Sequence, residues 1–147
     1  MEISNYCEEK IKEFEGLRLT PYKCPAGKWT IGWGHLTASV SGTITAAEAQ
    51  KLFERDVETV EAQLQREGYW AQLGESQRDA LVSFVFNLGF GNFKNSTLRR
   101  KLVANVEDVT IPDEFRRWVY ATVDGEKVIL PGLVTRREWE AQMFEDL

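Results

Sequence analysis

At 147 residues the chain has room for one domain that buries a core of its own, and 43% hydrophobic with 12% aromatic residues is a globular composition, not a disordered one. The formal charge is −5, and both parts lean acidic, with nine basic and thirteen acidic side chains over 1–90 and nine and ten over 91–147. That balance argues against nucleic acid as the main partner, because phosphate binding needs net or clustered positive charge.

The N-terminus, Met1 to Lys10, lacks the basic start and apolar stretch of a secretory signal. No run approaches the roughly 18 apolar residues of a membrane span. The chain is therefore expected in the cytoplasm, without a signal peptide or membrane insertion. Ile3, Cys7, Ile11 and Phe14 recur at helical spacing and predict a helix over 3–14, ending before Gly16. From Leu17 to Leu36 the turn signals Pro21, Pro25 and Gly27 alternate with the β-formers Tyr22, Trp29, Ile31 and Trp33, predicting a small antiparallel sheet. A Ser-, Thr- and Gly-rich loop covers 37–44.

Thr45-Ala-Ala-Glu48 has the form of a capping box. It opens a helix carrying Ala49, Leu52, Phe53, Val57, Val60 and Leu64 on one stripe. With no breaker before Gly68, that helix spans about 20 residues, or about 30 Å. Ser76-Gln-Arg-Asp79 repeats the capping pattern before Ala80, Leu81, Phe84, Val85 and Leu88, a segment apolar enough for a central buried helix, which Gly89 and Gly91 end. Further helices are predicted at 96–104, 113–121 and 135–145, with Asp124-Gly125 as a turn between the last two. Trp118 and Trp139 fall on apolar stripes with Phe115 and Met143 and read as core. The fold class is α+β, as a single domain over 1–147: a β-rich lobe at 15–44, a helical lobe from 1–14 and 68–147, and a connecting helix at 45–67.

Two cysteines, Cys7 and Cys24, are too few for a secreted disulfide scaffold and lack metal-ligand spacing. A single histidine weakens zinc or Ser/His/Asp chemistry. Neither a metal nor an organic cofactor is expected. The most informative segment runs from Glu15 to His35, where an acid, a thiol, a hydroxyl and four glycines crowd one short β region.

Glu15-Gly-Leu-Arg-Leu, then Cys24 nine residues after the acid, then Thr30-Ile-Gly-Trp-Gly-His35-Leu36 resembles the signature of phage-type lysozymes, the endolysins of glycoside hydrolase family 24. That signature is Glu, eight residues, Asp or Cys, five residues, Thr, and the register holds here without a gap. Ala80 to Gly89 followed by Phe93 to Leu98 matches a second block, and Leu130 to Arg137 a third. The likeness covers roughly residues 3 to 145. It implies a lysozyme-like fold and a muramidase that hydrolyses the β-1,4 bond between N-acetylmuramic acid and N-acetylglucosamine in peptidoglycan.

Cleaving a glycosidic bond needs a carboxylic acid to protonate the leaving oxygen and a second group across the sugar to attack or hold water. Glu15 fills the first role by this resemblance. Phe14 and Leu17 can shield it, and partial desolvation favours a protonated carboxyl. Cys24 stands where the family more often has Asp, and it acts as a thiolate or as a weaker hydrogen-bond partner of water. Thr30 would position that water. The resemblance further implies inversion, and it places Leu36, Phe86 and Ser96 along the cleft with Asn87 beside Phe86. Ser96 also fits a helix N-cap. His35 reads as a supporting imidazole with Asp56 a candidate partner. Arg136, more than Arg137, is the candidate partner for Glu15.

The expected partner is the peptidoglycan glycan strand, met by a monomer. A holin would be needed for the enzyme to pass from host cytoplasm to periplasm and cell wall. Other readings stay open: a lytic transglycosylase using the same acid, a catalytically weak wall-binding or lysozyme-fold module, and redox control through a Cys7–Cys24 bridge.

Overall fold

The computed structural model describes residues 1–145. Helix α1 (Asn5–Glu15) opens on Ser4, whose hydroxyl accepts from the Cys7 amide, and stops at Gly16. Cys7 and Ile11 form its buried face. The chain then turns into a three-stranded antiparallel sheet, β1 (Arg18–Lys23), β2 (Trp29–Gly32) and β3 (His35–Leu36), in the order β1-β2-β3. The β1–β2 loop closes tightly: Gly27 N donates to Cys24 O and Cys24 N to Lys28 O, both at 2.8 Å. Pro25 inside it sets a turn-compatible φ.

Helix α2 (Ala46–Gln65) begins with the capping box read from the sequence. Thr45 Oγ1 accepts from Glu48 N at 3.0 Å, and Glu48 Oε1 accepts from Thr45 N at 3.1 Å. Its buried stripe is Ala49, Phe53, Val57, Val60 and Leu64. It packs on β2 and β3 at one end and on helix α3 (Glu75–Leu88) further along, so the one helix meets both the sheet and the helical bundle. No helix among the described residues is long and apolar enough to cross a membrane.

Helix α3 departs from the expected cap. It starts at Glu75, where Gln77 Oε1 accepts from Gly74 N, so the Ser76–Asp79 stretch lies inside the first turns. Asp79 caps a different helix instead. Its carboxylate accepts from Ser4 N at 3.2 Å and from Ser4 Oγ at 2.5 Å, tying the start of α1 to α3. Every residue from Asp79 to Val85 is buried, as expected of a central helix. A short helix α4 (Phe90–Lys94) follows Gly89, then α5 (Thr97–Ala104) and α6 (Ile111–Arg116).

The helix expected over 113–121 is only partly present. α6 ends at Arg116, and Tyr120–Val123 (β4) pairs with Glu126–Ile129 (β5) as an antiparallel hairpin. Asp124 and Gly125 both take positive φ, 52° and 80°, the geometry of a two-residue hairpin turn whose twist matches its strands. The last helix, α7 (Pro131–Glu145), starts four residues before the expected 135. α3 and α7 pack along each other, and α6 lies against α7. At their junction Phe84 sits edge-on to Phe115 (ring centroids 5.1 Å apart) and to Trp118 (6.1 Å). Trp118 and Trp139 are partly buried against this core, as the sequence pattern indicated.

Candidate active site

Glu15 is the last residue of α1, so its side chain leaves the helical lobe where the chain enters the sheet. Arg136 of α7 donates from Nη1 to Glu15 Oε2 at 2.5 Å. On the other side lies the β2–β3 turn: a Cβ on Gly34 would stand 2.5 Å from Glu15 Oε1 and 3.0 Å from Cδ. The carboxylate is thus pressed against bare backbone. Gly34 is needed for the close approach of the protein's own acid. Arg136 also faces the ring of Phe14, its guanidinium carbon 5.3 Å from the centroid, which limits the swing of the cation.

Arg136 and Arg137 are not surface charges at a helix start; they are 3% and 1% exposed. Arg136 Nη2 donates to Ser83 O at 2.9 Å, and its Nε reaches Ser83 Oγ and Glu140 Oε2 at 3.3 and 3.4 Å. Arg137 donates from Nη1 to Glu140 Oε1 at 2.7 Å, from Nε to Trp118 O at 2.8 Å, and from Nη2 to Asn87 Oδ1. Burial pulls the Arg137 guanidinium below its ordinary pKa, and the charge of Glu140 opposes that shift. Neither Ser83 nor Glu140 was singled out from the sequence. The spacing Arg136, Arg137, Glu140 carried the signal, because residues three and four apart share a helix face.

Thr30 lies in the middle of the sheet, 4% exposed, and donates from Oγ1 to Tyr22 O at 3.2 Å across the β1–β2 pair. With its hydrogen committed, the oxygen is left as an acceptor. Cys24 sits half-buried at the start of the β1–β2 loop. Cys7 is in the core, its Sγ 3.5 Å from Asp79 O, and burial together with the nearby Asp79 charge pushes its thiol pKa up. Both cysteines are free, so the structure contains no Cys7–Cys24 bridge, and the buried thiol of Cys7 resists forming the thiolate that exchange requires.

His35 Nδ1 lies 2.8 Å from Asp56 Oδ2, tying β3 to α2. Leu36 pairs with Thr30 across β2–β3 and is 58% exposed. Phe86 is partly buried, its ring 5.6 Å from that of Phe53. Asn87 is exposed, and its carbonyl oxygen is taken by Arg137. Ser96 stands apart from these. It is buried, donates to Phe93 O at 2.6 Å and accepts from Arg99 N at 3.1 Å, so its hydroxyl is spent on capping α5. This is the N-cap role that the sequence also allowed for it. A partly open cavity of about 180 Å³ lies at the other end of α1, lined by Glu2, Glu61, Trp70 and Asp79 among others, and no candidate site residue lines it.

What this arrangement can do is hold one carboxyl in place where helix α1 gives way to the sheet, in a chain whose β2 carries an oxygen acceptor, Thr30, and whose β1–β2 loop carries a thiol, Cys24. Residues 12–140 match the family model described as phage lysozyme. The chain is 40% identical to the endolysin of Acyrthosiphon pisum secondary endosymbiont phage 1, with 99% of each covered. It is 35% identical to the endolysin of Salmonella phage P22, with 98% of each covered. Among solved structures it superposes on the muramidase domain of SpmX from Asticaccaulis excentricus with a TM-score of 0.80 at 32% identity, covering 99% of each chain. The endolysin from Escherichia coli O157:H7 phage FAHEc1 gives 0.76 at 30% identity, with 99% of this chain and 94% of that one covered. The chain belongs to the phage lysozyme family.

Proposed function

We propose that the protein is an endolysin, a muramidase that hydrolyses the β-1,4 bond between N-acetylmuramic acid and N-acetylglucosamine in peptidoglycan. The observation that supports this most directly is the Glu15 carboxyl held between the Arg136 guanidinium and the Gly34 backbone. A proton donor fixed in this way meets the geometric demand of acid catalysis, since loss of position alone raises a barrier by several kcal/mol. Glu15 gives its proton to the leaving glycosidic oxygen. A water attacks the anomeric carbon from the opposite face, the proton it loses passes to solvent, from which Glu15 is reprotonated, and the product is inverted. Thr30 Oγ1, its own hydrogen already donated to Tyr22 O, accepts a hydrogen from that water and leaves the water's lone pair free for carbon. Cys24 is the second group that orients it.

Leu36 and Phe86 offer apolar faces to the sugar rings, and the amide nitrogen of Asn87 is a donor for an N-acetyl arm. His35, through Asp56, holds β3 in place, and Arg136 holds Glu15. The enzyme works as a monomer on glycan strands. It accumulates in the host cytoplasm and reaches the wall once a holin has opened the membrane.

The test is lysis of chloroform-treated Gram-negative cells by wild-type and Glu15→Gln protein of equal thermal stability. Removing a general acid costs on the order of 100-fold or more, and wild-type digests should carry hydrated reducing ends. Near wild-type lysis by folded Glu15→Gln would remove the acid from the mechanism, and anhydro-muramyl ends would replace hydrolysis with transglycosylation. Cys24→Ser and Thr30→Ala should each slow lysis without unfolding the protein.

A further inference from the structure

No charged side chain among the described residues is more deeply buried than Glu140, which has no exposed surface. Its hydrogen bonds go to Ser83, Arg136 and Arg137, and none goes to Glu15 or to the sheet. Its two oxygens are divided: Oε1 accepts from Arg137 Nη1 at 2.7 Å, while Oε2 accepts from Ser83 Oγ at 2.6 Å and from Arg136 Nε at 3.4 Å. A buried carboxylate is costly unless it is paired and hydrogen-bonded, and here two of the three hydrogen bonds, those from Ser83 and Arg136, lead to the cation that holds Glu15.

Two guanidinium groups on consecutive residues repel each other when both are buried. Glu140 follows Arg136 by four residues and Arg137 by three, so one helix face brings the single anion against both. It thereby assigns the donors. Arg137 turns to Glu140, Asn87 and the Trp118 carbonyl, and the Nε edge of Arg136 rests on Glu140 and Ser83. Nη2 of Arg136 is anchored on the Ser83 carbonyl, which leaves Nη1 alone aimed at Glu15. Uncharged at 140, the site would leave Arg136 and Arg137 competing for Ser83 and Asn87, and the direction of Nη1 would no longer be fixed.

We propose that Glu140 is a positioning residue for the reaction: acting through Arg136, with Ser83 as the shared hydroxyl, it sets the place of the Glu15 carboxyl over Gly34. This rests on the reading of Glu15 as the acid. The test is a double-mutant cycle in turnover of purified peptidoglycan, using Glu140→Gln, Arg136→Gln, the pair together, and Glu15→Gln as a separate control. Glu140→Gln alone should lower kcat about 10- to 100-fold, the size expected of a misplacement of about 1 Å, with KM within about twofold.

In the Arg136→Gln background the same change should cost less than about twofold in kcat, because its route to Glu15 is already cut. Ser83→Ala, which removes only the bridging hydroxyl, should give a smaller kcat loss that also disappears without Arg136, and it serves if Glu140→Gln does not fold. Equal fold losses of kcat in both backgrounds, or full activity of Glu140→Gln, overturn the proposal while leaving an inactive Glu15→Gln intact. An active Glu15→Gln overturns the acid reading instead.

Discussion

A Cβ on Gly34 would meet Glu15 Oε1 at 2.5 Å, closer than side-chain carbons are found, and the turn holds this residue at φ +73°. Gly34→Ala therefore adds two separable penalties. Left-handed backbone costs an alanine roughly 1–2 kcal/mol, and the methyl must also push the carboxyl off its seat. Gly42 supplies the comparison, with φ +104° and nothing within 4 Å of its Cβ direction. Both variants should lower Tm by several degrees, since about 1 kcal/mol shifts a domain of this size by roughly 3–5 °C. Gly34→Ala alone should lose lysis, by about tenfold or more, whereas Gly42→Ala should lyse at the wild-type rate. Equal activity in the two variants would show that Gly34 serves the turn and not the acid. The sequence displays this glycine but not its neighbour: Glu15 and Gly34 are nineteen residues apart, and only the fold of the sheet back onto α1 brings them together. Arg136 was legible because a cation in the third matched block had an acid to answer. Glu140 was not, despite its spacing from the two arginines, because a glutamate in a terminal helix that also carries Glu138 and Glu145 ordinarily faces water.

Helix α1 is pinned at both ends, and this makes it the element on which the site depends. Its C-terminal residue rests on Arg136 and the Gly34 turn. Its first turn hangs from Ser4, whose hydroxyl accepts from Cys7 N at 3.1 Å and donates to Asp79 Oδ2. Ser4→Ala removes the cap and leaves one oxygen of a buried carboxylate without its partner. Loss of a serine cap costs about 1 kcal/mol, so the urea midpoint should fall with an unchanged slope. Specific activity of the folded fraction should stay within about twofold, because the far end of the helix keeps its contacts. A large loss of activity at full stability would show that the two ends are coupled. Elements whose signal is local were readable: the Thr45–Glu48 box and the buried stripe of α2 follow from spacing alone. The β4–β5 hairpin was obscured because each strand has only four residues and exposed positions, and because β4 begins soon after a real helix, α6. Asp124-Gly125 was the usable clue, and its two positive φ values favour a hairpin over a helix–helix corner.

For the molecule as a whole, the α+β class and the order of sheet, long helix and bundle follow from where hydrophobic periodicity changes from two to 3.6 along the chain. What periodicity does not reveal is buried charge, because Glu61, Asp79, Arg136, Arg137 and Glu140 sit inside with at least one partner each that is distant in sequence. Glu61 and Asp79 clamp residues 2–4: Glu61 Oε2 accepts from Glu2 N at 2.6 Å and Ile3 N at 2.9 Å, beside the Ser4 contacts of Asp79. Burial raises the pKa of both carboxyls, against the pull of those backbone donors. A carboxyl whose folded pKa lies above its unfolded value binds more protons in the native state. Its contribution to stability is complete below the unfolded pKa and is lost as pH rises through the folded one. Glu61→Gln keeps an oxygen acceptor for the two amides and removes the titration. The unfolding free energy of Glu61→Gln minus that of wild type should therefore decrease as pH is lowered from 8 to about 4.5, the other groups being common to both proteins. Paired urea titrations at three pH values measure this difference directly. A difference that stays flat, or grows toward acid, would mean that donation from Glu2 and Ile3 outweighs burial and that the clamp favours the ionised carboxylate.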